Sequence, residues 1–386
     1  MIRTIDECFW GIQNGANIKQ SKSSGGFPIT RIETIADNKF NRDRVGYAGI
    51  TDVSSYESYI LEDEDLLMSH INSAKYLGRT VLYNRRANEV IIHGMNLLRL
   101  RANKEIINPS YAKYLFSGCK FKKQVSRITK KSVNQASFTV GDLKKIKISV
   151  PSILEQVQIV EKLDKIAWII ELRQAEIKKA EEIIKARFIE MFGEPSNERF
   201  QKKKLKETCR VITGNTPSRA ITDYYGTHIE WVKTDNIVSG KINPTKATEG
   251  LSQKGEKVGR VVEKDAILMV CIAGSVASIG RVCITNRKVS FNQQINAVVT
   301  DEYNVIFLYV LFQLSKTYLV SELNMSLKGI LSKSKLEDKE FIMPPIEMQN
   351  EFADFVMQIA KSKAVIEKSL KELETLQASL MQKYFS

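Results

Sequence analysis

The sequence has few of the residues that build disulfides, metal centres and membrane spans. Of 386 residues, 5 are cysteine and 3 are histidine, widely scattered and without metal-ligand spacing. We therefore expect reduced thiols and no bound metal. The longest apolar run, Ala266–Ala273, is far shorter than the ~20 residues that cross a bilayer. The first residues do not resemble a secretion signal, so the sequence predicts a cytoplasmic protein.

Positive charge, by contrast, is abundant. Lysine and arginine number 58 against 44 acidic residues, which gives a formal net charge of +14. The hydrophobic fraction of 43% is ordinary for a globular chain, so the surplus does not indicate disorder. A surplus of this size favours an acidic partner, with nucleic acid ahead of a membrane surface. The alternative is a basic surface that serves only solubility.

Two stretches, 152–193 and 345–386, have the period of very long helices. A capping-box pattern at Ser152 begins the first, and Gly193 ends it. The second follows Pro344. At about 40 residues, or roughly 60 Å, each exceeds an ordinary globular helix, which predicts coiled-coil pairing. The alternative is two amphipathic helices that pack on their own domains.

Both helices carry a heptad seam, with key positions spaced alternately by four and three residues. In the first helix these positions are Ile159, Leu163, Ile166, Ile170, Arg173, Ile177, Ala180, Ile184, Arg187 and Met191. In the second they are Phe352, Val356, Ile359, Lys363, Ile366, Leu370, Leu373, Gln377, Leu380 and Tyr384. The two seams correspond position by position, and their polar members would fix the alignment.

The same correspondence continues upstream, which indicates an internal duplication. The motif P-x-x-x-x-Q occurs at Pro151–Gln156 and again at Pro344–Gln349. Further matching segments are Leu143–Val150 with Leu336–Met343 (strand-like runs), Asp65–Ser69 with Asp265–Met269, Gly78–Leu82 with Gly280–Ile284, Tyr111–Phe116 with Phe307–Phe312, and Arg31–Asn41 with Lys233–Asn243.

The fold class predicted from this order is α+β, with two tandem mixed α/β globules that are each followed by a long helix. The boundaries are a globule at 1–151, a helix at 152–193, a second globule at 194–344 and a second helix at 345–386. Antiparallel helices need only short connections, so we expect a pseudo-two-fold repeat with the globules at opposite ends of a coiled-coil rod. The rod would set the distance between them.

No catalytic pattern is convincing. Gly274–Arg281 lacks the spacing and the lysine of a phosphate loop, and there is no G-x-G-x-x-G turn. Asn108–Tyr111 comes near the N-P-P-Y pattern of amino-methyltransferases, but a proline at a helix start explains the segment adequately. We therefore favour a non-catalytic chain. A stand-alone DNA-modifying enzyme, namely an adenine methyltransferase, is the enzymatic alternative.

The polar residues of both globules are typical of a DNA reader. Lysine and arginine neutralise phosphates, while arginine, asparagine and glutamine form paired hydrogen bonds with base edges. The candidate DNA-binding residues of the first globule are Arg31, Arg42, Arg44, Arg79, Arg85, Lys130 and Asn134. Those of the second globule are Asn215, Thr216, Arg219, Tyr224, Lys233, Asn236, Arg281, Gln293, Gln294, Lys328 and Lys333.

For any single candidate, an ordinary solvated surface is the competing interpretation. The indication is collective, because it comes from two basic globules held apart by a rod. Such a pair would read two different half-sites separated by unread base pairs, since one turn of DNA is only about 34 Å long. A coiled-coil adaptor without any DNA role is the third alternative.

The whole chain resembles the specificity subunits of type I restriction-modification systems. The resemblance lies in the order of the elements, the G-N-T-P-S loop at Gly214–Ser218, the pair Gly280-Arg281, the string Asn292–Gln294 and both P-x-x-x-x-Q helix starts. The first globule departs from the pattern, since it has neither the G-N-T-P-S loop nor the N-Q-Q string.

The resemblance implies two target recognition domains that bind a bipartite, asymmetric site in double-stranded DNA. It implies two modification subunits that dock on the helices and globules, carry S-adenosylmethionine and methylate one adenine in each half-site. Two restriction subunits using ATP and Mg²⁺ would join where the system also cleaves. This chain itself would hold no cofactor or metal and touch no membrane. The candidate subunit contacts on the helices are Lys178, Lys179, Glu181, Glu182, Lys368, Lys371 and Glu372.

Overall fold

A computed structural model of the chain describes residues 1–22, 25–132, 135–321 and 329–386. The chain divides into two compact units, and each contains one globule with part of both long helices. The first unit comprises Met1–Gln174 and Lys368–Ser386, and the second comprises Ala175–Glu367. No helix within the described ranges is both long and apolar enough to cross a membrane. The five cysteines are free thiols; four are buried and Cys119 is exposed.

The two predicted long helices are present as Ile153–Phe192 and Ile346–Phe385, with 40 residues each. The backbone N–H of Glu155 donates to Ser152 Oγ at 3.3 Å, which is half of the predicted capping box. The first helix ends at Phe192 and is followed by Gly193, whose φ of 76° lies in the left-handed region. Every residue of both predicted seams is buried or half-buried.

The helices pack antiparallel within each unit. In the first unit, Leu163 near the start of the first helix shares a hydrophobic core with Phe385 at the end of the second. In the second unit the order is reversed, and Phe188 packs edge-on against Phe352 with ring centroids 5.5 Å apart. This antiparallel pairing confirms the arrangement predicted from the order of globules and helices and their short connections.

The first unit is built on a four-stranded antiparallel sheet covered by a helix. The sheet order is Phe9–Asn14, Leu97–Ala102, Leu66–Ser69 and Thr80–Leu82. Helix Pro109–Ser117 buries its apolar face on the core. Further strands are Ile2–Thr4, Pro28–Ile29, Gly46–Tyr47, Ile71–Asn72, Lys130–Lys131, Ala136–Ser137 and Lys147–Ser149, and further helices are Ile5–Cys8, Cys119–Ile128 and Val140–Lys144. Turns of 3-10 helix lie at Ile32–Ile35, Arg42–Arg44, Ser54–Tyr59 and Ala74–Tyr76.

The second unit repeats this plan. Its first sheet runs Arg210–Thr213, Ile295–Val299, Ile267–Val270 and Val282–Ile284, covered by helix Val305–Leu314. A second sheet runs Gly250–Leu251, Tyr225–Val232, Val289–Phe291 and Val261–Val262. Further strands are Lys202–Lys204, Ile272–Ala273, Gly329–Ile330 and Glu340–Ile342, and further helices are Leu205–Thr208, Gln253–Val258, Lys316–Val320 and Lys333–Glu337. Turns of 3-10 helix lie at Thr222–Tyr224, Thr234–Asn236 and Val276–Ser278.

The P-x-x-x-x-Q motif has the same structural role in both units. Gln156 is fully buried, and its Oε1 accepts from the backbone N–H of Asn108 at 2.8 Å. Gln349 is equally buried and accepts from the backbone N–H of Asn304 at 3.0 Å. Each asparagine is the N-cap of the helix that covers its sheet. The motif therefore joins the start of a long helix to the start of the covering helix.

Two details of the predicted repeat need correction. The strand-like runs Leu143–Val150 and Leu336–Met343 each begin with the last two residues of a short helix, Val140–Lys144 and Lys333–Glu337, which Thr139 and Ser332 cap. The strands begin only at Lys147 and Glu340.

The residue that corresponds to Asp265 is Glu64 and not Asp65. Both Glu64 and Asp265 have φ of 66°. Their N–H groups donate 2.8 Å bonds to the carbonyls of Tyr83 and Thr285, at equivalent ends of the sheet.

Candidate nucleic-acid interface

In the second unit a pair of parallel strands brings polar segments to one edge. Trp231 and Val232 pair in parallel with Ser290 and Phe291. Because the carboxyl ends of parallel strands meet at one edge, Lys233 emerges beside the string Asn292–Gln294. The G-N-T-P-S loop joins them, and its first residue must be glycine: a Cβ on Gly214 would lie 2.2 Å from the carbonyl oxygen of Asn292.

The side chains of this loop divide into a brace and an exposed group. Asn215 is the brace: its Nδ2 donates to the carbonyl of Val258 at 2.9 Å, and its Oδ1 accepts from the N–H of Arg260 at 2.7 Å. Thr216 is exposed, and its hydroxyl hydrogen-bonds to Oε1 of the equally exposed Gln293. Thr216 and Gln293 therefore form a polar pair at the surface.

Two of the predicted cations at this edge share one carboxylate. Arg219 Nη2 lies 2.8 Å from Glu249 Oε2, and Lys233 Nζ contacts the other oxygen of Glu249. The hydrogen bond from Lys233, and then that from Arg219, lowers the pKa of Glu249. The Arg219 guanidinium also stacks 4.6 Å from the ring centroid of Tyr225. Ion pairs as exposed as that between Arg219 and Glu249 contribute little to stability.

Three other predicted residues of the second unit are engaged internally. Asn236 is buried, and its Oδ1 accepts from the N–H of Lys233 at 2.9 Å. Arg281 Nη2 donates to the carbonyl of Thr234 at 3.2 Å. Gln294 Oε1 accepts from the Asn292 side chain at 3.0 Å. In this structure Asn236, Arg281 and Gln294 therefore form hydrogen bonds within the unit.

Three predicted residues of the second unit remain. One lies beside this edge, one lies apart from it, and one lies outside the residues that the structure describes. Tyr224 is half-buried in the 3-10 turn that precedes strand Tyr225–Val232. Lys333 is exposed on a separate short helix, 3.6 Å from Glu337. Lys328 lies outside the described residues.

In the first unit, Arg42 and Arg85 meet at one glutamate. Arg42 donates two bonds of 2.6 and 2.7 Å to the carboxylate of Glu89, to which the Tyr83 hydroxyl also donates at 2.8 Å. Arg85 Nε donates to the main-chain carbonyl of Glu89 at 3.0 Å. The bonds from Arg42 are the principal cause that lowers the pKa of Glu89 to about 2. Arg42 is therefore fixed in place, whereas Arg85 is exposed.

The other three predicted arginines surround the 3-10 turns at 32–35 and 42–44. Arg31 lies 3.4 Å from Glu33, and Arg44 lies 3.2 Å from Asp37. Arg79 donates to the carbonyl of Ala36 and stacks on the Tyr76 ring. Of the two remaining candidates, Lys130 is exposed on strand Lys130–Lys131, and Asn134 lies outside the described residues.

Sequence reasoning missed the counterpart of the G-N-T-P-S loop in the first unit. Gly15 and Ala16 occupy its place, because the N–H of Ala16 donates to His93 O at 2.7 Å just as that of Asn215 donates to Phe291 O at 3.1 Å. The available signal was a glycine that directly follows the first long strand in each unit. The residues that follow this glycine differ between the two units, so the two loops do not match in sequence.

Two histidines, His70 and His93, are buried in the first unit. Burial lowers the pKa of His70 to about 4 and that of His93 to about 3, so both rings are neutral near pH 7. His93 Nε2 lies 3.0 Å from the carbonyl of Leu97. Within the described part of the chain, no group of three His, Cys, Asp or Glu residues is arranged to hold a metal.

Comparison with known protein families identifies the family to which this chain belongs. The family described as type I restriction modification DNA specificity domain matches residues 3–182 and, a second time, residues 197–375. The chain belongs to this family. The two matches agree with the internal duplication predicted from the sequence, and each covers one globule and most of the long helix that follows it.

Individual members of the type I specificity family are similar over part or all of the chain. A putative type I restriction enzyme MjaX specificity subunit from Methanocaldococcus jannaschii is 28% identical over 402 residues, covering 97% of this chain and 92% of the relative. The EcoKI specificity subunit of Escherichia coli is 23% identical over 156 residues, covering 40% of this chain and 33% of the relative.

Solved structures share the fold. The S subunit of a type I restriction-modification system from M. genitalium has a TM-score of 0.58 at 14% identity, covering 100% of this chain and 96% of that one. A chain from a study of complex assembly and conformational transition of the type I R-M system has a TM-score of 0.57 at 17% identity, covering 100% and 97%.

Proposed function

We propose that the chain is the DNA sequence-specificity subunit of a type I restriction-modification complex. Each unit would read one half of a bipartite, asymmetric site in double-stranded DNA. The observation that carries the proposal is the duplicated edge: the same strands and loops recur in both units, with different exposed side chains. The surplus of lysine and arginine, which gives the net charge of +14, would contact phosphates. The loop residues would contact bases.

The long helices are proposed to dock two modification subunits that carry S-adenosylmethionine. Apolar side chains exposed on the helices support a protein contact there, since Trp168 is 60% exposed, Leu154 71% and Val365 70%. Restriction subunits using ATP and Mg²⁺ would join the same assembly. In this proposal the chain is non-catalytic and acts in the cytoplasm, where the DNA that it reads is located.

A selection from randomised duplexes tests the proposal. The full chain, alone and co-expressed with its modification subunit, should enrich one split sequence, with affinity falling steeply as salt rises. Purified chain supplied with S-adenosylmethionine and DNA should transfer no methyl group. Methyl transfer without a partner would establish the stand-alone methyltransferase instead. Enrichment of no sequence at all would favour the coiled-coil adaptor.

The helices are also proposed to set the length of the unread spacer. One heptad inserted into both helices lengthens the pair by about 10.5 Å, which corresponds to about three base pairs at 3.4 Å each. The enriched sequence should keep both half-sites and gain a spacer of that length. An unchanged spacer would show that the helices do not set the spacer length. It would not contradict the proposal that each unit reads one half-site.

A further inference from the structure

We propose that base preference is set by Asn17 and Met95 in the first unit and by Thr216 and Gln293 in the second. These are matching positions on matching edges, although the two pairs of residues have nothing in common in sequence. The inference rests on the proposed function and names the side chains that carry specificity within it.

The sheet register establishes the equivalence. Ser69 pairs with Leu97 as Val270 pairs with Ile295. On the neighbouring strand, Asn14 pairs with Leu98 as Thr213 pairs with Asn296. Counting outward from these pairs gives the equivalent segments, which are Gly15–Asn17 with Gly214–Thr216 and Gly94–Asn96 with Asn292–Gln294.

The contacts between the loops agree with the register. A Cβ on Gly15 would lie 2.1 Å from the carbonyl oxygen of Gly94, and one on Gly214 would lie 2.2 Å from that of Asn292. Gly94 and Asn292 are equivalent by the register, so the same close approach of two backbones occurs in each unit. A side chain at either glycine would push the two loops apart.

A cation stands at the same place on both edges. Arg31 and Lys233 directly precede a 3-10 turn, and the backbone N–H of each donates a 2.9 Å bond to a side chain three residues later, Thr34 and Asn236. A cation in this position suits a phosphate contact, which fixes orientation but carries no sequence information. The specificity must then come from the neighbouring loops.

The four proposed residues are exposed, and Thr216 and Gln293 hydrogen-bond to each other at the surface. Met95 is 43% exposed, and Asn17, Thr216 and Gln293 are also exposed. The adjacent Asn215 is held by backbone groups. The four side chains can therefore turn towards a base edge without breaking the fold.

The chemistry of the two pairs differs. Gln293 can form a bidentate contact with adenine, and Asn17 can do the same in the first unit. Met95 offers only apolar contact, which suits the methyl group of thymine. The two half-sites should therefore differ at the positions that these residues face.

The test is a reciprocal exchange, M95Q and Q293M, in the full chain co-expressed with its modification subunit. Base preference is read from selection on randomised duplexes. Each variant should change preference at one base pair by on the order of ten-fold or more, since a bidentate contact discriminates by roughly 1–3 kcal/mol. The two changes should fall in opposite half-sites, and N17A and T216A should affect the same halves as M95Q and Q293M respectively.

The matched control is Q201M, because Gln201 is an exposed glutamine next to strand Lys202–Lys204 and away from the loops. It should leave both half-sites unchanged. If M95Q and Q293M melt like the parent chain and keep both preferences, the inference is wrong while the proposed function stands. If the parent chain enriches no split sequence, the proposed function fails and the inference fails with it.

Discussion

Removal of the buried glutamine of the P-x-x-x-x-Q motif should destabilise the first unit. Gln156 makes bonds of 2.8 Å to Asn108 N, 3.0 Å to Ile106 O and 2.9 Å to Pro151 O. Q156A leaves three backbone groups without these partners. At about 1 kcal/mol for each bond, we expect a loss of about 3 kcal/mol in the free energy of unfolding. Urea denaturation measures the loss, and hydrogen exchange of the Asn108 amide shows where it arises.

Two further variants sharpen this test. Q156E keeps the acceptor for Asn108 but places a carboxylate against two carbonyl oxygens. It should therefore lower the free energy of unfolding at least as much as Q156A does. Q158A replaces an exposed glutamine on the same helix turn and should change stability by less than about 0.5 kcal/mol. The reasoning is refuted if Q156A is as stable as Q158A and the Asn108 amide exchanges as slowly as in the parent chain.

Three other changes have defined outcomes. The Glu89 carboxylate has a pKa lowered from 4.5 to about 2, so its pairing with Arg42 stabilises the fold above pH 4.5 and is lost as the pH falls towards 2. E89Q should therefore flatten the acid limb of a stability–pH curve. E249Q frees two cations for phosphate, so DNA affinity should rise and the slope of log affinity against log salt should steepen by about one. F188A removes a fully buried ring from the second unit, which should cost about 3–5 kcal/mol in urea denaturation.

Each of these outcomes can be contradicted. An E89Q chain whose acid limb matches that of the parent would show that the pairing does not control acid stability. A salt slope that E249Q leaves unchanged would show that the carboxylate does not compete with phosphate. F188A would count against the packing argument if its stability matched that of A186G, a small change at an exposed position of the same helix.

The sequence predicts the helices and the duplication well because both depend on local patterns. The seam from Ile159 to Met191 and the glycine at 193 locate a helix whose observed bounds are Ile153–Phe192. The motif at Gln156 could be recognised as repeated, but its bonds to Asn108 come from a segment far away in the chain. Only the folded chain shows why a glutamine is needed there.

The residues of the candidate interface were harder to sort from sequence alone. Arg42 and Asn236 suit DNA contact by residue type, yet one is bound to Glu89 and the other closes a turn. Met95 attracts no attention in a search for polar residues, although the sheet register makes its position equivalent to that of Gln293. The partners of a side chain and the pairing of distant strands are long-range properties, which a local pattern does not encode.

The most direct test of two independent readers is an exchange of residues 197–343 for the same region of a relative with a different target. Methylated adenines would then be mapped in cells that carry the hybrid and its modification subunit. We expect one half-site to change while the other half-site and the spacer length are retained. A change in both half-sites, or in neither, would contradict it.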